Sequence, residues 1–444
     1  MENKHTFGRN NWIILILFGL VGQIAWSVEN MYFNLFVFDT VAPNLGAITL
    51  MIQLSGVMAT VATLIAGAIS DNVGNRRKFI SIGYAIWGVT VALFGYLSPE
   101  LAVRIFGVGI EQAVTITLAA VIIGDCIMTL FGSTANDACF NAWVTDNTKP
   151  SFRGTVEGVL AILPLIAMLI VAGGFGILVE LFGGYSTVFL LLGIVISLCG
   201  IVGIFIIKDS DKLEKNGTIR DIFYGFRPSV VKENKGLYAA LLVILVYGVA
   251  CQIFMPYLII YMKTYLGFSV IEYSIVFGVA IALGALINVF LGRLSDKMDK
   301  KRLLYVAAPI MAAGLFVMYL AKGMGHIATI ILFGAAGFVM ITGYIFVSAL
   351  TGAIVRDNTP PESAGKLQGV RMVFSVLIPM LVGPMIGNGI NKLRNVRLEN
   401  PGADAMTTEY IPAPEIFLAA GILSCLLIGC IWLLCRCDSK KENA

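Results

Sequence analysis

The chain has 444 residues, of which 58% are hydrophobic and only 13% are charged, with a formal net charge of +4 and a mean hydropathy of +0.87. Soluble globular proteins average about 45–50% apolar and about 25% charged residues. The composition therefore excludes a cytosolic enzyme, a nucleic-acid-binding domain and a disordered protein. It predicts an all-α polytopic membrane protein whose surroundings are a lipid bilayer, with no nucleic acid as partner.

Twelve apolar runs follow one another along the chain, and one membrane span needs about 20 such residues. The first run follows a polar N-terminus without a signal-type cleavage site, so we expect it to be a retained span. The predicted spans 1 to 12 are 12–38, 45–69, 79–97, 114–141, 154–181, 187–207, 237–264, 271–292, 303–321, 327–351, 365–391 and 414–435.

Lysine and arginine are distributed unevenly between alternate connections. With the N-terminus placed in the cytoplasm, the cytoplasmic segments hold 24 of the 31 basic residues and the outer loops hold 5. Short cytoplasmic loops of membrane proteins carry an excess of positive charge. We therefore expect both termini in the cytoplasm and a multi-pass protein of the plasma or inner membrane.

Two motifs occur twice in the chain. Residues 67–78 (GAISDNVGNRRK) and 292–302 (GRLSDKMDKKR) share Gly-x-x-Ser-Asp and a trailing basic cluster, 225 residues apart. Residues 144–159 and 355–370 share Asp-Asn-Thr, a proline and two glycines at an offset of 211. A repeat of this length indicates two copies of one six-span unit. The predicted organisation is a first bundle over 1–207, a basic polar linker over 208–236 and a second bundle over 237–444.

These motifs resemble the major facilitator superfamily, whose loop after span 2 reads Gly-x-x-x-Asp-(Arg/Lys)-x-Gly-(Arg/Lys)-(Arg/Lys). The resemblance implies two halves related about the membrane normal, with a substrate site near the midplane. It also implies that Asp71 meets the start of span 11 and Asp296 the start of span 5, as a latch that holds when the inner ends of the halves are closed. Topogenic charge at a loop is the alternative. The latch residues are Gly67, Asp71, Gly74, Arg76, Arg77, Asp146, Arg153, Asp296, Lys301 and Arg302.

Three carboxylates lie within predicted spans: Glu29 in span 1, and Asp125 and Asp137 in span 4. A charge at the bilayer centre costs about 2.5–3.5 kcal/mol on insertion scales, so such groups usually face a cavity and have a function there. Glu29 and Asp125 each lie about ten residues from the outer end of their span, at one shared depth. Neighbouring carboxylates in low dielectric resist double ionisation, which suits H⁺ uptake; several oxygens at one place suit Na⁺. Both coupling ions remain open, as does a structural hydrogen bond.

Polar side chains also line single faces of several spans. Span 4 places Asp125, Thr129, Ser133 and Asn136 at helical spacing on one face. Rings beside amides and hydroxyls suit a sugar, which offers an apolar face and hydroxyl groups; ordinary packing is the alternative for each aromatic residue. The predicted substrate-binding residues are Gln23, Trp26, Asn30, Thr129, Gln252, Tyr257, Tyr261 and Tyr344.

Arg371 lies two turns into span 11. We predict an ion pair with Glu157 in span 5. Pairing with Asp137, binding of an anionic substrate and extension of the side chain to the cytoplasm are alternatives.

The acidic groups in spans 1 and 4 are similar to those of the cation-coupled sugar and glycoside symporters of the melibiose-permease type. This resemblance implies a secondary active transporter that moves a small-molecule substrate, a sugar or glycoside, with H⁺ or Na⁺ by alternating access. We expect a monomer without cofactor, bound metal or enzymatic activity, since no nucleophile, base and orienting group occur together. A proton-coupled exporter of drugs or metabolites and a transporter-like receptor are the alternatives.

Overall fold

A computed structural model describes residues 7–148, 152–209, 219–295, 298–360, 367–397 and 410–439. These residues form helices and turns, and no strand occurs among them. Twelve of the described helices are long and apolar enough to cross a membrane, which confirms the predicted fold class. Spans 1 to 12 are Arg9–Val41, Leu45–Val73, Arg76–Phe94, Ile110–Asn147, Thr155–Leu181, Tyr185–Ile206, Lys235–Thr264, Val270–Leu291, Lys300–Leu320, His326–Asn358, Gln368–Arg394 and Glu415–Cys437.

Several helices extend beyond the apolar runs that predicted them. Span 10 continues to Asn358, seven residues past its predicted end, because backbone hydrogen bonding does not stop where the hydrocarbon layer stops. The connection between spans 3 and 4 contains an unpredicted short helix, Pro99–Phe106. Its start is capped by Ser98, whose Oγ accepts from Leu101 N at 3.2 Å. Gly107 ends it with a left-handed φ of 64°.

The connection between spans 6 and 7 also contains helical structure. A 3-10 helix covers Ile219–Phe226, and an α-helix follows over Pro228–Glu233.

The chain forms two compact units, and span 2 contributes to both of them. Unit 1 comprises Met1–Ala42 and Val57–Ile219. Unit 2 comprises Pro43–Gly56 and Arg220–Ala444. The outer part of span 2 thus packs with spans 7 to 12, and its inner part packs with the other spans of the first half.

Glycines set the closest helix contact of unit 1. At Gly193 in span 6, an added Cβ would meet the Gly88 carbonyl oxygen of span 3 and would lie 2.7 Å from Ala92 Cβ. Gly200, about two turns further on, faces Ala85 in the same way. Without a hydrophobic driving force between helices in lipid, close packing of small residues is what holds such spans together.

Unit 2 has its own core, in which spans 7, 9, 10 and 12 meet. The buried residues include Leu241, Leu304, Val347 and Ile431. Spans 9 and 10 approach closely at Gly314, where a Cβ would lie 2.6 Å from Met340 Cα. Both units therefore use a glycine contact between neighbouring spans.

Wide π-helical turns interrupt the regular bonding of four spans. Such turns are rare and frequently mark functional sites. After the turn in span 5, the Gly176 backbone N–H donates to Tyr32 Oη of span 1 at 3.0 Å. The turns are Glu29–Phe33 and Val37–Val41 in span 1, Ser133–Phe140 in span 4, Val171–Phe175 in span 5 and Val373–Leu377 in span 11.

Substitution of Gly193→Ala is expected to lower the melting temperature of the detergent-solubilised protein, because the added methyl overlaps the backbone of span 3. Overpacking of this kind costs about 1–3 kcal/mol. The control is Gly429→Ala in span 12, where an added Cβ meets nothing within 4 Å; alanine is also the better helix former. A Gly193→Ala protein as stable as the control would contradict the packing described for spans 3 and 6.

Candidate functional site

The most deeply buried carboxylates among the described residues of unit 1 lie on spans 1 and 4. Glu29 is 8% exposed and Asp125 is 1% exposed. Thr129, one turn after Asp125, donates its hydroxyl proton to Glu29 Oε1 at 3.1 Å. The Cys126 thiol lies within electrostatic range of both carboxylates. These contacts bring the predicted residues Glu29, Asp125 and Thr129 together in what we call the acid tier.

A second group of polar side chains lies further along span 4, where we define the inner tier as Asn136, Asp137, Tyr84 and Trp26. Asn136 donates from Nδ2 to Asp137 Oδ1 at 3.2 Å. The hydroxyl of Tyr84 lies 2.9 Å from Asn136 Oδ1 and 2.7 Å from the Phe18 carbonyl oxygen. Since a phenol has one proton, two acceptors share it. The amide of Asn136 is thereby fixed, with its nitrogen turned towards the carboxylate.

Aromatic rings cover one side of the inner tier. The rings of Trp26 and Trp87 lie 5.0 Å apart, centroid to centroid. The Trp26 indole nitrogen and the Ser133 hydroxyl are buried, and both are directed towards the Asp137 carboxylate. The tier thus offers a ring face, two donors and a carboxylate to a polar solute.

Glycines make room for both tiers. A Cβ at Gly22 would lie 2.6 Å from both Asn136 Oδ1 and the Tyr84 hydroxyl oxygen. A Cβ at Gly132 would lie 2.8 Å from the Trp87 ring and 3.1 Å from the Trp26 ring. Sequence reasoning missed Tyr84 and Trp87, although their i, i+3 spacing places two aromatic residues on one face of span 3.

In unit 2, the predicted residues Tyr257 and Tyr261 are fully buried. Tyr257 Oη lies 2.7 Å from Thr49 Oγ1 in the outer part of span 2 and 3.0 Å from the Pro384 carbonyl oxygen. Gln53, one turn after Thr49, donates to the Leu381 carbonyl oxygen at 2.8 Å. These bonds hold spans 2, 7 and 11 together. The role of both tyrosines towards substrate stays a prediction.

Gln252 and Tyr344 are half-buried side chains of unit 2. The Tyr344 ring lies 6.1 Å from that of Tyr247, edge to face, and Tyr247 Oη lies 3.5 Å from Ser348 Oγ. Tyr247 is a candidate that sequence reasoning missed. It lies one turn before Cys251 and Gln252 on span 7. This spacing from the predicted residue Gln252 could have indicated it from the sequence alone.

The remaining predicted binding residues lie on span 1. Gln23 is half-buried and Asn30 is exposed; Asn30 donates from Nδ2 to the Trp26 carbonyl oxygen at 2.8 Å. The predicted ion pair involves Glu157, which is exposed on span 5 of unit 1, and Arg371, which is half-buried on span 11 of unit 2. Their pairing stays a prediction.

The first copy of the repeated motif forms a compact charge cluster at the inner end of unit 1. Arg76 is buried at the start of span 3. Its guanidinium forms an ion pair with Asp71, lies 3.2 Å from Asp146 Oδ2 and donates to Ser70 Oγ at 2.5 Å. The cluster thus joins the end of span 2, the start of span 3 and the inner end of span 4.

Two other residues of the motif have backbone roles. Gly74 has a left-handed φ of 67°, which favours glycine. Arg77 is exposed, and its backbone N–H donates to Asp209 Oδ1 at 2.9 Å. Beside this bond, Trp143 Nε1 donates to the Lys208 carbonyl oxygen at 2.8 Å. The start of the linker is therefore fixed to unit 1.

The second copy of the motif is described only in part, since Asp296 lies outside the described residues, as does the side chain of Arg153 in the first half. Lys301 is half-buried and Arg302 is exposed. Lys300 Nζ lies 2.6 Å from Asp357 Oδ2. Asp357 is the repeat equivalent of Asp146, so both halves pair this aspartate with a base at the start of span 3 or 9. Gly67 has no atom within 4 Å of an added Cβ.

Arg76→Gln is expected to lower the melting temperature clearly, because two carboxylates would lose their shared cation. Each hydrogen bond to a charged group contributes about 1.5–3 kcal/mol. Arg77→Gln is the matched control, since it removes an exposed charge and keeps the backbone N–H that Asp209 accepts. Equal melting temperatures of the two variants would contradict a stabilising role of the Arg76 cluster.

The described residues contain no group of three or more His, Cys, Asp and Glu side chains placed to hold a metal ion. What unit 1 presents instead is a pair of buried carboxylates on two spans and an aromatic, amide-lined group beside them. Such an arrangement can bind a proton or a small cation and can hydrogen-bond a polar solute. It provides no activated nucleophile.

Several solved structures have the same fold as this chain. In structure it is similar to a mutant of the nucleoside transporter NupG, with a TM-score of 0.68 at 12% identity over 95% of this chain and 99% of that one. It is also similar to a bacterial homologue of the iron transporter ferroportin, in an outward-facing state with soaked iron, with a TM-score of 0.63 at 13% identity over 96% and 99% of the chains. A bacterial metal transporter matches with a TM-score of 0.59 at 12% identity over 97% and 99%. At these identities the likeness shows the fold alone.

No curated protein sequence matches the chain significantly. A family model described as Major Facilitator Superfamily matches residues 12–384. This match covers more than four fifths of the chain, and the two copies of the loop motif lie within it. The chain belongs to the Major Facilitator Superfamily and is a transporter rather than an enzyme.

Proposed function

We propose that this chain is a cation-coupled secondary transporter of a small polar solute of the sugar or glycoside class, with the proton as the favoured coupling ion. The observation that carries the proposal is the acid tier, where Thr129 bonds Glu29 across two spans and Asp125 lies one turn away.

The acid tier supports coupling because its carboxylates are removed from water. Two charges at this depth would each cost several kcal/mol without compensation. A proton on one carboxyl removes a charge and provides a donor for a neighbouring oxygen, which lowers that cost.

The inner tier supports a ring-bearing, hydroxylated solute. The Trp26 ring can stack on the apolar face of a sugar ring. The Trp26 indole N–H and the Ser133 hydroxyl can bind solute oxygens, and the half-buried Asp137 carboxylate can accept from solute hydroxyls. Stacking and hydrogen bonding together orient such a solute more firmly than an amphiphilic drug.

A nucleoside is the second candidate within this class. Nucleosides are glycosides whose base adds a flat ring, and the structural neighbour NupG is described as a nucleoside transporter. The rings of Trp26 and Trp87 beside the Asp137 carboxylate suit the base and ribose of a nucleoside as well as they suit the two rings of a disaccharide. The same binding measurement therefore has to include both.

Asp125→Asn is expected to abolish accumulation of solute driven by a pH gradient in proteoliposomes, because the amide cannot carry the coupling proton. Exchange of solute across the same membrane is expected to continue, since exchange needs no net proton movement. Asp39→Asn is the matched control; Asp39 lies exposed near the outer end of span 1, bonded by Tyr185 Oη at 2.7 Å. Full accumulation by Asp125→Asn would remove this residue from coupling.

A panel of sugars, nucleosides, amino acids, organic acids and amphiphilic drugs is expected to give a rise in melting temperature only with sugars or nucleosides. A solute in excess over its dissociation constant stabilises the folded protein that binds it. A rise in melting temperature that is larger at low pH identifies H⁺ as the coupling ion. A rise that requires Na⁺ identifies Na⁺ as the coupling ion.

For the solute found, Trp26→Ala is expected to weaken binding about two- to tenfold, the worth of one aromatic contact. Trp432→Ala is the control, because Trp432 is 50% exposed on span 12 and packs against Arg436. Stabilisation by amphiphiles alone would favour the exporter, and binding without transport would favour the receptor.

A further inference from the structure

The connection between the two halves contains a short helical segment that does not cross the membrane. The 3-10 helix Ile219–Phe226 and the α-helix Pro228–Glu233 follow each other directly before span 7. Two of its phenylalanines are nevertheless exposed, Phe223 by 67% and Phe226 by 44%. Exposed apolar side chains that lie close together in a connection mark a surface for a membrane or a partner.

The other face of this segment is fixed to unit 2. Tyr238 in the first turn of span 7 donates its hydroxyl proton to the Gly225 carbonyl oxygen. A Cβ at Gly225 would lie 2.9 Å from Val370 Cγ1, in the first turn of span 11. Val230 is buried in the core of unit 2. The segment is therefore held in one orientation, with its phenylalanines outside.

These contacts also fix the depth of the segment. Spans 7 and 11 begin at Lys235 and Gln368, so contacts with Tyr238 and Val370 place Gly225 level with the ends of two spans. The ends of spans lie at the boundary between hydrocarbon and headgroups. The exposed phenylalanines are consequently at the depth where in-plane amphipathic helices bury their apolar face.

The charges around the phenylalanines are mainly basic. Among the residues from Phe223 to Lys235, whose side chains the structure describes, Arg227, Lys232 and Lys235 are exposed, against one exposed acid, Glu233. The Arg227 guanidinium carbon lies 5.7 Å from the centroid of the Tyr224 ring, which holds the charge near the same surface. A basic, aromatic segment at the level of the headgroups complements anionic lipid.

We propose that residues 219–233 bind an acidic phospholipid of the adjacent bilayer leaflet. Phe223 and Phe226 enter the acyl boundary, and Arg227 and Lys232 contact the phosphate. The segment thereby anchors the linker to the membrane surface beside spans 7 and 11. This inference is independent of the transported solute and of the coupling ion.

The test compares the full chain in nanodiscs of phosphatidylcholine alone and of phosphatidylcholine mixed with phosphatidylglycerol. Hydrogen exchange of backbone amides in 219–233 is expected to be on the order of tenfold slower with the acidic lipid, since each base near an anionic surface contributes about fivefold. Soluble glycerol phosphate added to phosphatidylcholine discs is expected to change nothing, because it offers no acyl chain.

Variants assign the effect to its residues. The double substitution R227Q/K232Q is expected to abolish the difference between the two lipids, whereas Arg302→Gln, which neutralises an exposed base outside the segment, is expected to keep it. F223S/F226S is expected to raise exchange in both lipids. Equal exchange of the native protein in both discs, a lipid effect that survives R227Q/K232Q, or slowing by glycerol phosphate alone would overturn the proposal.

Discussion

A backbone inside hydrocarbon has no water to bond, so every N–H and C=O there needs a partner within the protein. Because of this constraint each span is a helix. Where the regular helical hydrogen bonding is interrupted, side chains have to provide the missing hydrogen-bond partners. The π-helical turns show it: one begins at Glu29 and another at Ser133, both within the polar groups of unit 1. The turn in span 5 is followed by Gly176, whose N–H donates to Tyr32. Irregular backbone and polar side chains thus occur together. The polar side chains provide hydrogen-bond partners for backbone groups at these places, and the backbone groups provide partners for the side chains.

Buried polar side chains also need hydrogen-bond partners within the protein. Glycines let the helices come close enough for these partners to be reached. Gly22 and Gly132 leave no room for a Cβ, and their absence of a side chain lets spans 1, 3 and 4 approach. Only at this approach can Tyr84 reach Asn136 and Trp26 reach Trp87. A larger residue at either glycine would separate the spans and leave the amide, the phenol and the carboxylate without their bonds. The chemistry of unit 1 therefore depends on positions that carry no chemistry themselves.

The number of spans and the repeat were predictable because hydropathy and motif spacing are local properties of the sequence. The face of span 4 that carries Asp125 and Thr129 was predictable too, since helical spacing alone places both on one side. That Thr129 bonds Glu29 was not, because the contact joins residues 100 positions apart. Tyr84 and Trp87 were missed because aromatic residues in spans usually serve packing, and nothing in the sequence marks these two as neighbours of Asn136. For Tyr257, burial follows from Thr49 and Pro384, partners that are distant in sequence. The helix Pro99–Phe106 was overlooked because its signals, a serine cap and a glycine end, lie in a connection too short for periodicity.

The repeat also shows where the two halves have diverged. At the inner ends they agree: Asp146 pairs with Arg76, and its equivalent Asp357 pairs with Lys300. At the same offset of 211, however, Asp125 corresponds to Ala336. Spans 1 and 7 align at an offset of 229, which matches Gln23 with Gln252 and Tyr32 with Tyr261, and there Glu29 corresponds to Leu258. Both replacements are buried apolar residues, so the second half carries no carboxylate at these two positions. Further along span 10 a hydroxyl group remains where Ser133 corresponds to Tyr344 and Asp137 to Ser348, whereas Asn136 corresponds to the buried Val347. Under the proposed function, coupling needs one group that binds and releases a cation in each transport cycle. Buried carboxylates at these positions of unit 1, with apolar residues at the equivalent positions of unit 2, are the pattern which that proposal requires.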